Sequence, residues 1–113
     1  MIVHRYLSSS GRDLIMEYID SLEPDEQVDA MTVMQKMEDN KWEELYTKQW
    51  QDKIWEVYFY CSKRIFYVIA DGDNVYLLHA CKKQKNKTER RDVNKVINRA
   101  KELGKVLGIQ IVR

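Results

Sequence analysis

Residues 54–81 read IWEVYFYCSKRIFYVIADGDNVYLLHAC, and this stretch decides the fold. It divides into three segments rich in Val, Ile, Tyr and Phe, Ile54 to Tyr60, Arg64 to Ala70 and Val75 to Cys81, separated by turn-forming residues. That composition and punctuation predict three consecutive strands. Asp71-Gly72-Asp73-Asn74 has the chemistry of a tight hairpin loop, read as a two-residue turn centred on Gly72 and Asp73. With that turn, Arg64, Phe66, His79 and Cys81 share one sheet face, and Ile65, Tyr67, Ile69, Tyr76, Leu78 and Ala80 share the other. A three-residue turn of Cys61, Ser62 and Lys63 in the first hairpin keeps Trp55, Val57 and Phe59 with the apolar set. It puts Glu56, Tyr58 and Tyr60 beside Arg64, whereas a two-residue turn would drive Glu56 into the core.

Working outward, Ile2 to Tyr6 suits a short strand. Leu14, Ile15, Tyr18, Ile19 and Leu22 form the stripe of an amphipathic helix that Pro24 stops. A second helix runs from Pro24 to near Asn40, its buried side marked by Val28, Met31, Met34 and Met37. Residues 41–53 are irregular and predict a connection folded down by Trp42, Leu45, Tyr46 and Trp50. After the strands, Thr88 is a suitable N-cap for a last helix with the stripe Val93, Val96, Ile97, Ala100 and Leu103. Gly104 is expected to end it, leaving a tail that adds at most a short strand. The expected fold is α+β: one domain over 1–113, with a small, mainly antiparallel sheet in the order strand, two helices, three strands, helix, and the helices on one face.

Composition narrows the function. The chain has 113 residues, 44% hydrophobic and 33% charged, and no apolar run approaches the roughly 20 residues of a membrane span. The N-terminal stretch lacks a signal-peptide pattern, so a cytoplasmic location is expected. Two cysteines without a CxxC or clustered His predict neither a disulfide framework nor a metal or cofactor site.

The net charge of +1 conceals an asymmetry. Residues 1–62 hold thirteen acids against six Lys and Arg, a net −7, and residues 63–113 hold thirteen Lys and Arg against five acids, a net +8. Six of the nineteen cations, Lys82, Lys83, Lys85, Lys87, Arg90 and Arg91, fall in residues 82–91. Bunched cations at the edge of a face bearing Glu56, Tyr58, Tyr60, Arg64 and His79 suit single-stranded RNA: cations for phosphates, rings for bases, titratable groups for proton transfer.

The element order and the text of residues 54–90 resemble the RelE/ParE toxin superfamily, most closely its phage-type HigB-like branch. The matching features are Trp55 and Glu56, Arg64 within the second strand, and His79, Lys83, Lys87 and Thr88 in the third motif. Tyr58 stands where that pattern has Arg, Ala80 where it has Gly, Cys81 where it has Phe, and Glu89 where it has Pro. The resemblance implies the toxin of a type II toxin-antitoxin system, a ribosome-dependent, metal-independent mRNA endonuclease. Its partners would be the ribosome, mRNA and a cognate antitoxin of helix-turn-helix type. Arg64, Glu56, His79, Tyr60 and Lys83 are then the catalytic candidates, and Lys82, Lys83, Lys85, Lys87, Tyr58, Arg90 and Arg91 the RNA contacts. Glu56 is either a general base for the 2′-hydroxyl or the orienting partner of Arg64. The alternatives are a non-catalytic binding protein of the same fold and a ParE-type gyrase inhibitor.

Overall fold

The computed structural model describes residues 1–83 and 88–113; the candidate RNA contacts Lys85 and Lys87 lie outside the described residues. The elements are β1 (Ile2–Arg5), α1 (Leu14–Asp20), α2 (Pro24–Glu38), a 3-10 turn (Trp42–Glu44), β2 (Thr47–Gln51), β3 (Ile54–Phe59), β4 (Lys63–Ile69), β5 (Asn74–Lys82) and α3 (Arg90–Leu107). The five strands form one sheet in the order β1-β5-β4-β3-β2, antiparallel throughout except for the parallel pair β1 and β5. Strand β2 occupies part of the stretch expected to be irregular. Its sequence, Thr-Lys-Gln-Trp-Gln, is an edge strand with polar neighbours around one partly buried Trp50, so alternation is nearly silent there.

Helices cover both faces of the sheet, which corrects the expected one-sided packing. On one face α1 and α2 bring Ile15, Ile19, Ala30, Val33, Met34 and Met37 against Val57, Phe59, Ile65, Tyr67, Val75, Leu77 and Ala80. On the other, Val96 and Ala100 of α3, joined by Ile111 of the tail, pack on Ile54, Phe66, Val68, Leu78 and Cys81. The uninterrupted run Ile65-Phe66-Tyr67-Val68 is the mark of a strand buried on both sides.

Both hairpin turns differ from expectation. The β3–β4 loop has three residues but starts one earlier, at Tyr60-Cys61-Ser62; the pairing shifts by an even number of positions, so the predicted faces survive. Tyr60 therefore sits in the turn and not on the strand face. The β4–β5 loop is Asp71-Gly72-Asp73, held by Asp71 Oδ1 accepting from the backbone N–H of Asp73 at 2.7 Å and of Asn74 at 2.9 Å. One residue is thereby gained, and a bulge at Leu78 absorbs it, restoring the pairs Phe66 with His79 and Arg64 with Cys81. Leu78 consequently turns under α3 while Val75 and Leu77 face α1 and α2.

Asp13 caps α1 by accepting from Met16 N–H at 3.0 Å, and Glu23 and Glu26 form a capping box around Pro24 at the start of α2. The buried side of α2 is Ala30, Val33, Met34 and Met37; Val28 and Met31 are 67% and 47% exposed. An uninterrupted i+3 series loses about 60° per step on an α-helix, so residues 28 and 37 lie on opposite sides and cannot share a stripe. Glu89, not Thr88, occupies the N-cap position of helix α3, with no capping bond from its side chain, and the helix passes through Gly104 to end at Gly108, whose φ of 70° is left-handed. Gly104 instead admits the tail: a Cβ there would meet the Ile109 carbonyl oxygen at 2.7 Å, and Ile109 N–H donates to the Gly104 carbonyl at 3.0 Å. The tail forms no strand; it seats Ile111 in the core and reaches the β2–β3 turn through Arg113 N–H donating to Asp52 Oδ2 at 3.2 Å. Among the described residues no helix is long and apolar enough to cross a membrane.

Candidate functional site

On the α3-side face the pairing sets two rows, Glu56–Phe66–His79 and Tyr58–Arg64–Cys81. Helix α3 covers only part of these rows, and beyond it the polar members close on one another. Glu56 and Arg64 are each 2% exposed, so the expected open clamp is a buried ion pair, Arg64 Nη1 donating to Glu56 Oε2 at 2.6 Å. The same nitrogen donates to Thr88 Oγ1 at 2.8 Å, which gives Thr88 a role here in place of the capping one. Tyr58 donates its hydroxyl to Glu56 Oε1, and Lys83 Nζ donates to that hydroxyl at 3.3 Å while lying 5.3 Å over the Tyr58 ring. Burial, then the bond to Glu56, pushes the Tyr58 phenol up to about 12, so it keeps its proton at neutral pH.

The guanidinium is further sandwiched between rings, with Arg64 Cζ 5.4 Å from the Tyr58 centroid and 5.6 Å from that of Phe66. Its Nε and Nη2 are buried without a hydrogen-bond partner among the described residues. A desolvated pair of this kind contributes little net stability, and unpaired donors cost about 1–3 kcal/mol each. Such an arrangement is a candidate site on physical grounds.

Tyr60 and Cys61 hold positive φ angles of 40° and 66° in the adjoining turn. Asp29 of α2 supports them by accepting from Tyr60 N–H at 2.6 Å, and Lys63 pairs with Glu26 while lying 5.6 Å over the Tyr60 ring. Between this turn and β2 opens a cleft of about 630 Å³ to which Tyr46 and Lys48 contribute. Tyr46, expected to fold the connection down onto the core, instead stands exposed at this cleft, and Lys48 does not stand out in the sequence because the strand that places it is not legible there.

His79 belongs to a separate group. Phe66 lies between it and Glu56, so their backbones are two strand spacings, roughly 9.6 Å, apart. Its Nε2 bonds Asp92 Oδ1 at 2.7 Å and its Nδ1 lies 3.1 Å from Arg99 Nη1, which also donates to the Leu78 carbonyl. A guanidinium only donates, so Nδ1 accepts and the proton sits on Nε2. Burial lowers the imidazole pKa, in keeping with that neutral form. His79, Cys81 and Asp92 present ligating atoms within 4.8 Å of one another and are the residues that would hold a cation among those described. The sequence search for CxxC or paired His overlooks this set, which β5 and α3 assemble. It fits an ion poorly: metal at Nε2 would require a proton on Nδ1, where Arg99 already donates.

The remaining cations divide. Lys83 borders the tyrosine cleft, whereas Lys82, Arg91 and Lys95 border a second cavity of about 350 Å³ beside His79 and Asp92. Arg90 and Arg91 are exposed on the first turn of α3, with Arg91 Nε 3.1 Å from Glu89 Oε2.

A search of curated proteins finds no match to the chain. The family model described as Phage derived protein Gp49-like (DUF891) matches residues 17–101, a span that runs from α1 into α3 and includes Glu56, Tyr58, Arg64, His79 and Lys83. The chain belongs to this Gp49-like, phage-derived family, a RelE-like toxin family of toxin-antitoxin systems.

Proposed function

We propose that the protein is a type II toxin of the HigB-like branch that cleaves mRNA on the ribosome, a reading that places it in the cytoplasm and pairs it with a helix-turn-helix antitoxin. Family membership supports the toxin role, and one observation carries the chemistry: a buried Glu56–Arg64 pair whose outer edge is closed by Tyr58 and Lys83.

In the proposed reaction the 2′-oxygen attacks the adjacent phosphorus and the P–O5′ bond breaks, leaving a 2′,3′-cyclic phosphate and a 5′-hydroxyl. Glu56 is too deeply buried to meet RNA, but Tyr58 stands between it and the cleft. The phenol accepts the 2′-hydroxyl proton as it passes its own to Glu56 Oε1. Arg64, as deeply buried as Glu56, acts by holding that carboxylate in place, and the charge building on the phosphate is met by Lys83 at the outer edge. Lys83 gives a proton to the departing O5′. His79, with both ring nitrogens engaged, fixes β5 to α3 in this scheme instead of touching RNA.

The test is cleavage of a translated mRNA on purified ribosomes, scored for cyclic-phosphate ends, with Tyr58→Phe in parallel. The parent should cleave and Tyr58→Phe should be slower by about a hundredfold or more, the usual scale for a lost acid–base group. A parent that arrests growth without cutting RNA would support a second reading, a toxin that binds its target without cleavage. The 2% exposure of both Glu56 and Arg64 favours that alternative.

A further inference from the structure

The cleft beside Tyr58 is larger than proton transfer requires, and most of its wall takes no part in the reaction above. Its volume of about 630 Å³ falls within the roughly 300–1,000 Å³ of small-molecule sites. Three tyrosines line it, Tyr46, Tyr58 and Tyr60, with Lys48 entering from β2 and Lys83 from the end of β5. Tyr46 is 76% exposed and Tyr60 42% exposed, so both present ring surface to solvent.

Neither ring is loosely attached. The Tyr46 carbonyl accepts from Tyr58 N–H at 2.9 Å, and its ring stands edge-on to Tyr58 with centroids 5.6 Å apart. Tyr60 is held by Asp29 in a left-handed conformation that costs a residue other than Gly about 1–3 kcal/mol, the kind of strain that collects at ligand clamps. A docking face for an apolar protein segment would be built of aliphatic side chains, but these walls are rings, ammonium groups and one carboxylate, with Cys61 and Ser62 of the turn between them. Exposed rings between cations are the chemistry that stacks a nucleobase and holds the phosphates on either side.

We infer that this cleft is a nucleobase subsite. It takes one unstacked base of single-stranded RNA against Tyr46 and Tyr60, with Lys48 and Lys83 on the flanking phosphates. The inference rests on the RNA-directed reading of the neighbouring Glu56–Tyr58–Arg64 group for its substrate class.

The experiment is the affinity of the full chain for a fluorescein-labelled single-stranded RNA of about ten nucleotides, a length that one such binding face covers. Tyr46→Ala should weaken binding roughly 5- to 150-fold, the range for one lost stacking contact, while Tyr46→Phe, which keeps the ring, should bind like the parent. Lys48→Gln should lower the log–log salt slope by about 0.7. Because Tyr46 is exposed, unchanged melting temperatures will separate lost contact from lost fold. Equal affinities for parent and Tyr46→Ala overturn the subsite, as do equal losses in Tyr46→Phe and Tyr46→Ala. A parent with no affinity for RNA, the result expected if the cleft takes a protein segment, overturns it too. Cleavage is scored separately: RNA binding that depends on Tyr46 in a chain that does not cut sustains the subsite and removes only the endonuclease reading, whereas a cutting chain indifferent to Tyr46 removes only the subsite.

Discussion

Arg64 and Ile65 are neighbours in the chain and opposites in surroundings. Ile65 points to α1 and α2 into a layer of aliphatic and aromatic side chains, where stability follows apolar area removed from water. Arg64 points to the other face, where, beside the apolar α3 cluster, Glu56, His79 and Asp92 are also 8% exposed or less and are held by ion pairs and hydrogen bonds. The first face needs only shape and volume. The second takes charges out of water for a return that a hydrophobic replacement would often match, so its polar groups are better explained by what they do than by what they stabilise.

The largest effect that tests this contrast is Arg64→Met. It leaves Glu56 buried without its partner and should cost about 3–5 kcal/mol, measured from the urea midpoint at constant m-value. Ile65→Ala should cost a similar 2–5 kcal/mol by leaving a cavity. The two losses differ in how they are repaired. Adding Glu56→Gln to Arg64→Met removes the orphaned charge, keeps an acceptor for Tyr58, and should restore more than half of the stability without restoring cleavage; no polar change repairs Ile65→Ala. A double variant as unstable as Arg64→Met alone would show that the guanidinium acts through its packing on Tyr58 and Phe66, and the contrast between the faces would lose its basis.

The same contrast explains what was legible in the sequence. Alternation in residues 54–69 places Val57, Phe59, Ile65 and Tyr67 on one face and Glu56 and Arg64 on the other, because a period of two is visible whenever one side is apolar. Alternation cannot reveal the α3 layer, since Phe66, Val68 and Leu78 serve a second core and break the binary pattern. The bulge at Leu78 is equally silent: a two-residue and a three-residue loop both fit Asp71-Gly72-Asp73-Asn74, and only packing chooses between them. Strand β2 is held by edge pairing and not by its own propensities, so Tyr46 and Lys48 join the candidate site only once the sheet is seen. That Glu56 and Arg64 share a face is legible, but the diagonal that joins them follows from the loop starting at Tyr60, and the contact with Thr88 comes from the chain beyond β5, which no local pattern encodes.

Gly104→Ala tests how the α3 face is sealed, with a smaller effect. Inside a helix Ala is favoured over Gly by roughly 1 kcal/mol, so propensity alone predicts stabilisation. The added Cβ would lie 2.7 Å from the Ile109 carbonyl oxygen, a backbone atom that moves only with the tail. Overpacking of this kind costs about 1–3 kcal/mol, and the balance falls on the destabilising side. The melting temperature should drop by a few degrees, and hydrogen exchange at Ile111 and Val112 should quicken as Ile111 leaves its pocket. A more stable Gly104→Ala with unchanged exchange would mean the tail does not seal this face.

The smallest effect is the pH dependence that His79 confers. Asp92 faces its Nε2, Arg99 its Nδ1, and Lys95 lies near; burial and the cations lower the imidazole pKa while Asp92 raises it, and the net direction is downward. The folded pKa then lies below the unfolded value of about 6.5, so between the two the unfolded chain binds a proton that the folded chain does not. Stability from this group is therefore complete above about pH 6.5 and declines as pH falls toward the folded pKa, by at most about 1.4 kcal/mol per unit. His79→Gln keeps a donor for Asp92 and an acceptor for Arg99 but does not titrate. Lowering the pH from about 7.5 to about 5.5 should depress the parent's melting temperature more than the variant's, while carboxylates common to both cancel in the difference. A parent that instead gains on the variant as pH falls would mean that Asp92 outweighs burial and stabilises an imidazolium; Arg99 would then have to leave Nδ1, and the polar half of the α3 face would be arranged around a charge that this structure assigns to neither ring nitrogen.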